Sequence, residues 1–151
     1  MDGYEEEFDY EAYEKKCDEI REANDELLEL FYEDLVNLSD RTRRKHVNNV
    51  GFYINEYLLR EQPLTFDHGI TMIDDFLGYF FIRKCMWSTP GTIKTTAASI
   101  KKFYKCMVDH GKITKADYQF LCDEIKEGMP QWQADCEMYN DPEQENPFAW
   151  F

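Results

Sequence analysis

The chain has 151 residues, enough for one domain with appendages but too few for a DNA-binding domain joined to a full catalytic domain. Its 31 acidic and 17 basic residues give a formal charge of −14, which taken whole argues against a nucleic-acid binder. With 43% hydrophobic and 16% aromatic residues the composition excludes a disordered chain and fits a globular one.

Residues 5–37 contain no Gly and no Pro. Tyr13, Cys17, Ile20, Asn24, Leu27 and Phe31 recur at steps of four and three, which predicts one long helix with a single apolar stripe. The stripe suits packing on the rest of the domain or a dimer seam, where Asn24 would set the register. Ser39 is placed to cap the next helix, whose apolar face is Val47, Val50, Ile54, Tyr57 and Leu58 and which Gln62-Pro63 ends. Thr71 with Asp74 reads as a capping box opening a helix that buries Ile73, Phe76, Leu77, Phe80 and Phe81.

Ser88-Thr89-Pro90-Gly91 breaks the chain, with Pro90 suited to the first turn of a third helix in this run. Ile93, Ala97, Ile100, Tyr104 and Met107 form its buried stripe, and Gly111 stops it. Thr114 with Asp117 predicts a second capping box, before a helix presenting Tyr118, Leu121, Cys122 and Ile125. Gly128-Met129-Pro130 then predicts an interruption, followed by a short turn of helix with Trp132, Cys136 and Tyr139 and an aromatic tail. No period-two alternation stands out, so the expected fold is all-α. The division expected is an acidic helix over 1–38, a bundle over 39–128, and a short helix with the tail over 129–151.

Catalytic chemistry finds no motif. The three histidines, His46, His68 and His110, lie apart in sequence, match no metal-binding spacing and read as surface or loop residues. The five cysteines are odd in number and contain no C-x-x-C pair, which suits buried thiols in a reducing compartment better than disulfides or a zinc site. The expectation is therefore no enzyme, no cofactor and no metal. No apolar run approaches the ~20 residues of a membrane span, so no membrane partner is expected. The N-terminus is acidic where a signal peptide is basic and then apolar, which predicts a cytoplasmic protein.

The charge is divided. Residues 1–38 hold 3 basic and 15 acidic side chains (net −12), residues 39–112 hold 12 and 7 (net +5), and residues 113–151 hold 2 and 9 (net −7). Arg41, Arg43, Arg44 and Lys45 crowd the start of the Ser39-capped helix, where the helix dipole disfavours cations and favours anions such as phosphate. Lys94, Lys101 and Lys105 follow one another round the third helix, with Lys102 beside them and Thr95 and Ser99 as small hydroxyl donors that let a helix approach a phosphate backbone. An ordinary solvated face, or one neutralised by the acidic helix, accounts for the same pattern.

Leu38-Ser39-Asp40-Arg41-Thr42 with the helix behind it is similar to the Leu-Ser-x-x-Thr opening of the core-binding domain of tyrosine recombinases (phage integrases). Ile70-Thr71 through Asp75-Phe76-Leu77-Gly78-Tyr79 resembles that domain's second helix. Ser88 through Thr92-Ile93, then Ala98-Ser99-Ile100-Lys101-Lys102-Phe103-Tyr104, resembles its helix with a Ser-Ile-Arg-Arg-Phe-Tyr type signature, and Gly111-Lys112-Ile113 the turn after it.

The resemblance covers about residues 38–128 and implies a SAM-like bundle of four to five helices, clamping one side of duplex DNA, as in DNA integration and recombination. Residues 1–37 have no counterpart in it, and Ile113-Thr114-Lys115 starts a helix where the family has an Asn-Pro exit. The family's catalytic arginines, His-rich motif and nucleophilic tyrosine have no counterpart here either, so recombinase activity is not expected.

The first expectation is a non-catalytic DNA-binding module using Arg41, Arg43, Arg44, Lys45, Lys94, Thr95, Ser99, Lys101, Lys102 and Lys105. The alternative is a protein-interaction or self-association module, with residues 1–38 joining a second copy or another protein and the aromatic tail assisting, without DNA. A third reading is an enzyme whose site is dispersed along the chain. The acidic helix is further expected either to pack by its stripe or to lie over the basic face as a phosphate mimic, with Glu22, Glu26 and Glu29 approaching Arg43, Arg44 or the Lys94–Lys105 face.

Overall fold

The computed structural model describes residues 9–142, and among these every element is helical. The chain is an all-α bundle, as its periodicity predicts. Helix α1 (Tyr10–Asp34) is the long N-terminal helix, with Asp9 capping it by accepting from the Ala12 N–H. Its buried positions are Cys17, Ile20, Asn24, Leu28 and Phe31, with Leu27 only half-buried.

This stripe is occupied within the molecule. Leu28 and Phe31 join the main core, while Cys17 and Ile20 pack on Leu59. Asn24 finds its partners inside the molecule: its Nδ2 donates to Asn55 Oδ1 (2.8 Å) and to the Ile54 carbonyl (3.3 Å). Burying an amide demands such partners, since an unpaired one costs about 1–3 kcal/mol.

Helix α2 (Asp40–Gly51) starts at Ser39, whose hydroxyl accepts from the Thr42 N–H. It continues without a break into a π-helical turn, Phe52–Tyr57, where the Leu58 N–H reaches back to the Tyr53 carbonyl. After a loop, a 3-10 turn over Phe66–Thr71 leads into a second helical run: α3 (Ile73–Asp75), a π turn (Phe76–Phe80) and α4 (Phe81–Lys84). The Tyr53 hydroxyl donates to the Gly69 carbonyl and the Tyr104 hydroxyl to the Phe66 carbonyl, each at 2.6 Å, which fixes the 3-10 turn against the core.

The capping box expected at Thr71 and Asp74 does not form. Met72 stands at the cap position with no side-chain hydrogen bond, and Thr71 lies inside the 3-10 turn. Asp74 Oδ1 instead accepts from Trp132 Nε1 (2.6 Å).

Helix α5 (Pro90–Asp109) is central and packs on α1, α2 and α6. Thr89 and Thr92 form a capping box around Pro90, and all five predicted stripe residues are buried. Gly111 closes the helix at φ +72°, a conformation that favours glycine. Helix α6 (Lys115–Asn140) opens with the predicted Thr114–Asp117 box.

The interruption expected at Gly128-Met129-Pro130 is absent, and α6 runs through it to Asn140. An interior proline costs a helix ~3 kcal/mol. Burial of Trp132 and Cys136 on the far side of Pro130 opposes that cost. One connected set of buried side chains extends from Leu28 and Phe31 to Trp132 and Cys136, across both boundaries drawn from the sequence at 38 and 128.

Candidate nucleic-acid interface

The two basic segments lie on helices that pack directly against each other. α2 carries four cations and one acid, Asp40; α5 carries four lysines and one acid, Asp109. The joint between them is polar. Ser99 is fully buried; its hydroxyl donates to the Thr95 carbonyl (3.2 Å), lies 2.8 Å from His46 Nδ1 and accepts from Asn49 Nδ2 (3.0 Å). Ser99 therefore fastens α2 to α5 and presents nothing to a phosphate. Thr95 is exposed, with its hydroxyl turned to the Thr92 carbonyl (3.2 Å).

The predicted cations separate into two groups. Arg43 is half-buried: its Nε donates to the Leu35 carbonyl (2.6 Å) and its guanidinium lies 4.9 Å from the centre of the Tyr32 ring. It thus finishes α1, taking up a carbonyl just past that helix's end. Arg44 pairs with Asp40 (2.9 Å) and Lys105 with Asp109 (2.7 Å). Asp40 also accepts from the Tyr32 hydroxyl, and that hydrogen bond, followed by the Arg44 and Arg43 charges, holds its carboxyl below the usual range.

Arg41, Lys45, Lys94, Lys101 and Lys102 are exposed and have no carboxylate partner among the described residues. The His46 pKa is lowered first by burial, then by Lys102 of α5 and Lys45 of α2. One imidazole therefore senses a cation from each helix, Lys45 and Lys102, across the α2–α5 joint.

Beside the joint is a groove of about 560 Å³ between the end of α1, α5 and the start of α6. Lys101, Lys102 and Lys105 line one wall, and Phe31, Leu35 and Tyr118 supply its apolar surface. At one end Asp34 Oδ2 accepts from Cys106 Sγ (3.0 Å) and from His110 Nε2 (2.8 Å). Burial and then the neighbouring Asp34 push the Cys106 thiol up to about 12. The Cys106 hydrogen bond lowers the Asp34 pKa, with His110 adding to the effect.

Sequence reasoning placed His46 and His110 on the surface and missed both roles. Cys106 and His110, the residue that caps α5, are four residues apart, which was a visible spacing, whereas Asp34 arrives from another helix. All five cysteines are free thiols.

The acidic face of α1 does not cover the cations. Glu22, Glu26 and Glu29 are exposed, and among the described residues none pairs with Arg43, Arg44 or the lysines of α5. The contacts phosphate mimicry requires are absent, and the helix packs by its apolar stripe. The aromatic tail beyond residue 142 lies outside the described residues. Among those residues no helix is long and apolar enough to cross a membrane. Comparisons with family models, with curated proteins and with solved structures find no match to this chain.

Proposed function

We propose that the chain is a non-catalytic DNA-binding module whose α2–α5 face meets duplex phosphates, in the manner its resemblance to a recombinase core-binding, SAM-like domain implies. The observation that carries the reading is that two packed helices bring cations together: Lys45 of α2 and Lys102 of α5 both act on His46, with Lys101 beside Lys102 along the groove. Arg41 and Lys94 add exposed charge without a carboxylate partner among the described residues, in a chain of net charge −14. Like charges gathered this way repel, and neither helix gains stability from them. A polyanion supplies the missing counter-charge. Ser99 leaves the contact set because its hydroxyl is engaged in the His46–Asn49 joint, and Arg43 is set apart from the exposed cations because it is half-buried with its Nε on the Leu35 carbonyl. The protein-association alternative loses the α1 stripe, which the bundle itself covers.

The test is a salt series of duplex-DNA titrations by fluorescence anisotropy. Five phosphate contacts predict a slope of log K against log salt of about −4 to −5, with weak binding at physiological salt. Lys45→Glu with Lys102→Glu should weaken low-salt binding and make the slope shallower by about 2. Equal affinity and slope for both proteins, or no binding by wild type at low salt, refutes the proposal.

A further inference from the structure

We propose that Asp34, Cys106 and His110 form a zinc site that ties the C-terminal end of α1 to that of α5. It stands independently of the DNA reading, since it uses none of the cations assigned to phosphate.

The donor geometry comes first. Cys106 lies in the last turn of α5 and His110, four residues on, is its C-cap, while Asp34 is the last residue of α1. Their ligand atoms all lie within 4.8 Å of one another, with Asp34 Oδ2 at 3.0 Å from the sulfur and 2.8 Å from the imidazole nitrogen. A tetrahedral zinc ion, bound at about 2.3 Å from sulfur and 2.0–2.1 Å from nitrogen or oxygen, holds neighbouring ligand atoms on the order of 3.5 Å apart. Two protons, on Sγ and Nε2, now point at one carboxylate oxygen. A single dication occupying their place replaces both interactions: the thiol proton leaves to solvent, and the imidazole proton moves to Nδ1.

The surroundings supply the second argument. α1 ends at Asp34 and α5 at Asp109, so two negative helix ends meet where a carboxylate already sits. Neither helix has a basic residue in its last turn. A cation held by the three side chains interacts favourably with both helix ends. Thiolate, imidazole and carboxylate together select zinc over magnesium or calcium, which take oxygen ligands. Asp34 and Cys106 also line the groove, which gives a fourth ligand, water or an anion, a path to the ion.

Cobalt(II) titrated into the reduced, metal-free full chain is the probe. One equivalent should give a thiolate-to-cobalt charge-transfer band and the intense visible bands of a four-coordinate ion, which zinc then displaces and magnesium does not. Cys106→Ser, checked for native helicity by circular dichroism, should lose the charge-transfer band although four other thiols remain. Asp34→Asn and His110→Gln, at exposed positions, should each weaken cobalt and zinc binding by at least about tenfold, the lower end of what even outer-shell changes cost. Zinc should raise the Tm of wild type and not that of His110→Gln. A charge-transfer band that survives Cys106→Ser, the absence of that band in wild type, or equal zinc stabilisation of wild type and His110→Gln overturns the site.

Discussion

Gly128→Ala should destabilise this protein, although in most helices the same change stabilises. A mid-helix glycine costs about 0.5–1 kcal/mol relative to alanine, so propensity alone predicts a gain of that size. The indole of Trp132 reverses the sign. A Cβ at Gly128 would lie 2.3 Å from Cζ2 and 2.4 Å from Cε2 of that ring, where carbon atoms sit comfortably at about 3.5–4.0 Å.

The ring is held in place. Its Nε1 donates to Asp74 at 2.6 Å, and Gly78 also packs close to it, so that a Cβ there would lie 2.6 Å from Cδ1. Overpacking of this kind costs about 1–3 kcal/mol, and a Cβ this deep in the ring belongs at the upper end, which leaves a net loss of up to about 2.5 kcal/mol after the propensity gain. Urea unfolding followed by circular dichroism should show a lower midpoint at unchanged slope. In a Trp132→Ala background, itself weaker by about 3–5 kcal/mol, Gly128→Ala should instead stabilise by about 0.5–1 kcal/mol. Stabilisation of the wild type, or the same sign in both backgrounds, would refute the wedge.

The α2–α5 joint gives two further expectations. Ser99→Ala should cost about 1–2 kcal/mol in urea unfolding, because it strips a partner from Asn49 and His46, and should leave low-salt duplex affinity unchanged. A fall in affinity like that of the lysine variants would return Ser99 to the contact surface. His46 makes stability pH-dependent. Its folded pKa lies below the value of about 6.5 it has unfolded, so the unfolded chain takes the proton first as pH falls. Its contribution is therefore complete above about pH 6.5 and is lost as pH falls from there through the lowered folded value. Denaturation midpoints measured on both sides of that range should fall more for wild type than for His46→Gln, and equal falls would exclude His46 as the source.

What could be read from the sequence was whatever depends on near neighbours. The α5 stripe and the caps at Ser39 and Thr114 involve residues three or four apart, and all of them form. Two misreadings of the fold meet at Trp132. Its indole donates to Asp74, the expected capping-box partner, across 58 residues of sequence. It also explains why Gly128 is glycine: the residue makes space for a ring one turn on, where local rules see a breaker beside Pro130. The π turns at Phe52–Tyr57 and Phe76–Phe80 carry no comparable local signal. Both lie among aromatic rings packed from distant segments, such as Tyr53 on Phe76 at 4.6 Å.

The site followed the same division. Periodicity located the cations but could not assign their partners, because an ion pair is decided by one or two ångströms. Lys105 with Asp109 and Arg44 with Asp40 were open to an i,i+4 reading. Arg43 on the Leu35 carbonyl was not, since it depends on the angle at which the chain turns between α1 and α2. The same turn accounts for the uncovered basic face. With Cys17, Ile20, Leu28 and Phe31 facing inward, helical geometry sends Glu22, Glu26 and Glu29 outward to solvent. Near physiological ionic strength solvent screens most of the field that such exposed charges exert beyond about 8–10 Å. At low salt that screening weakens, so the acidic helix opposes an approaching polyanion just where the phosphate contacts favour it most. The measured salt slope should therefore be somewhat shallower than a count of the free cations alone would give.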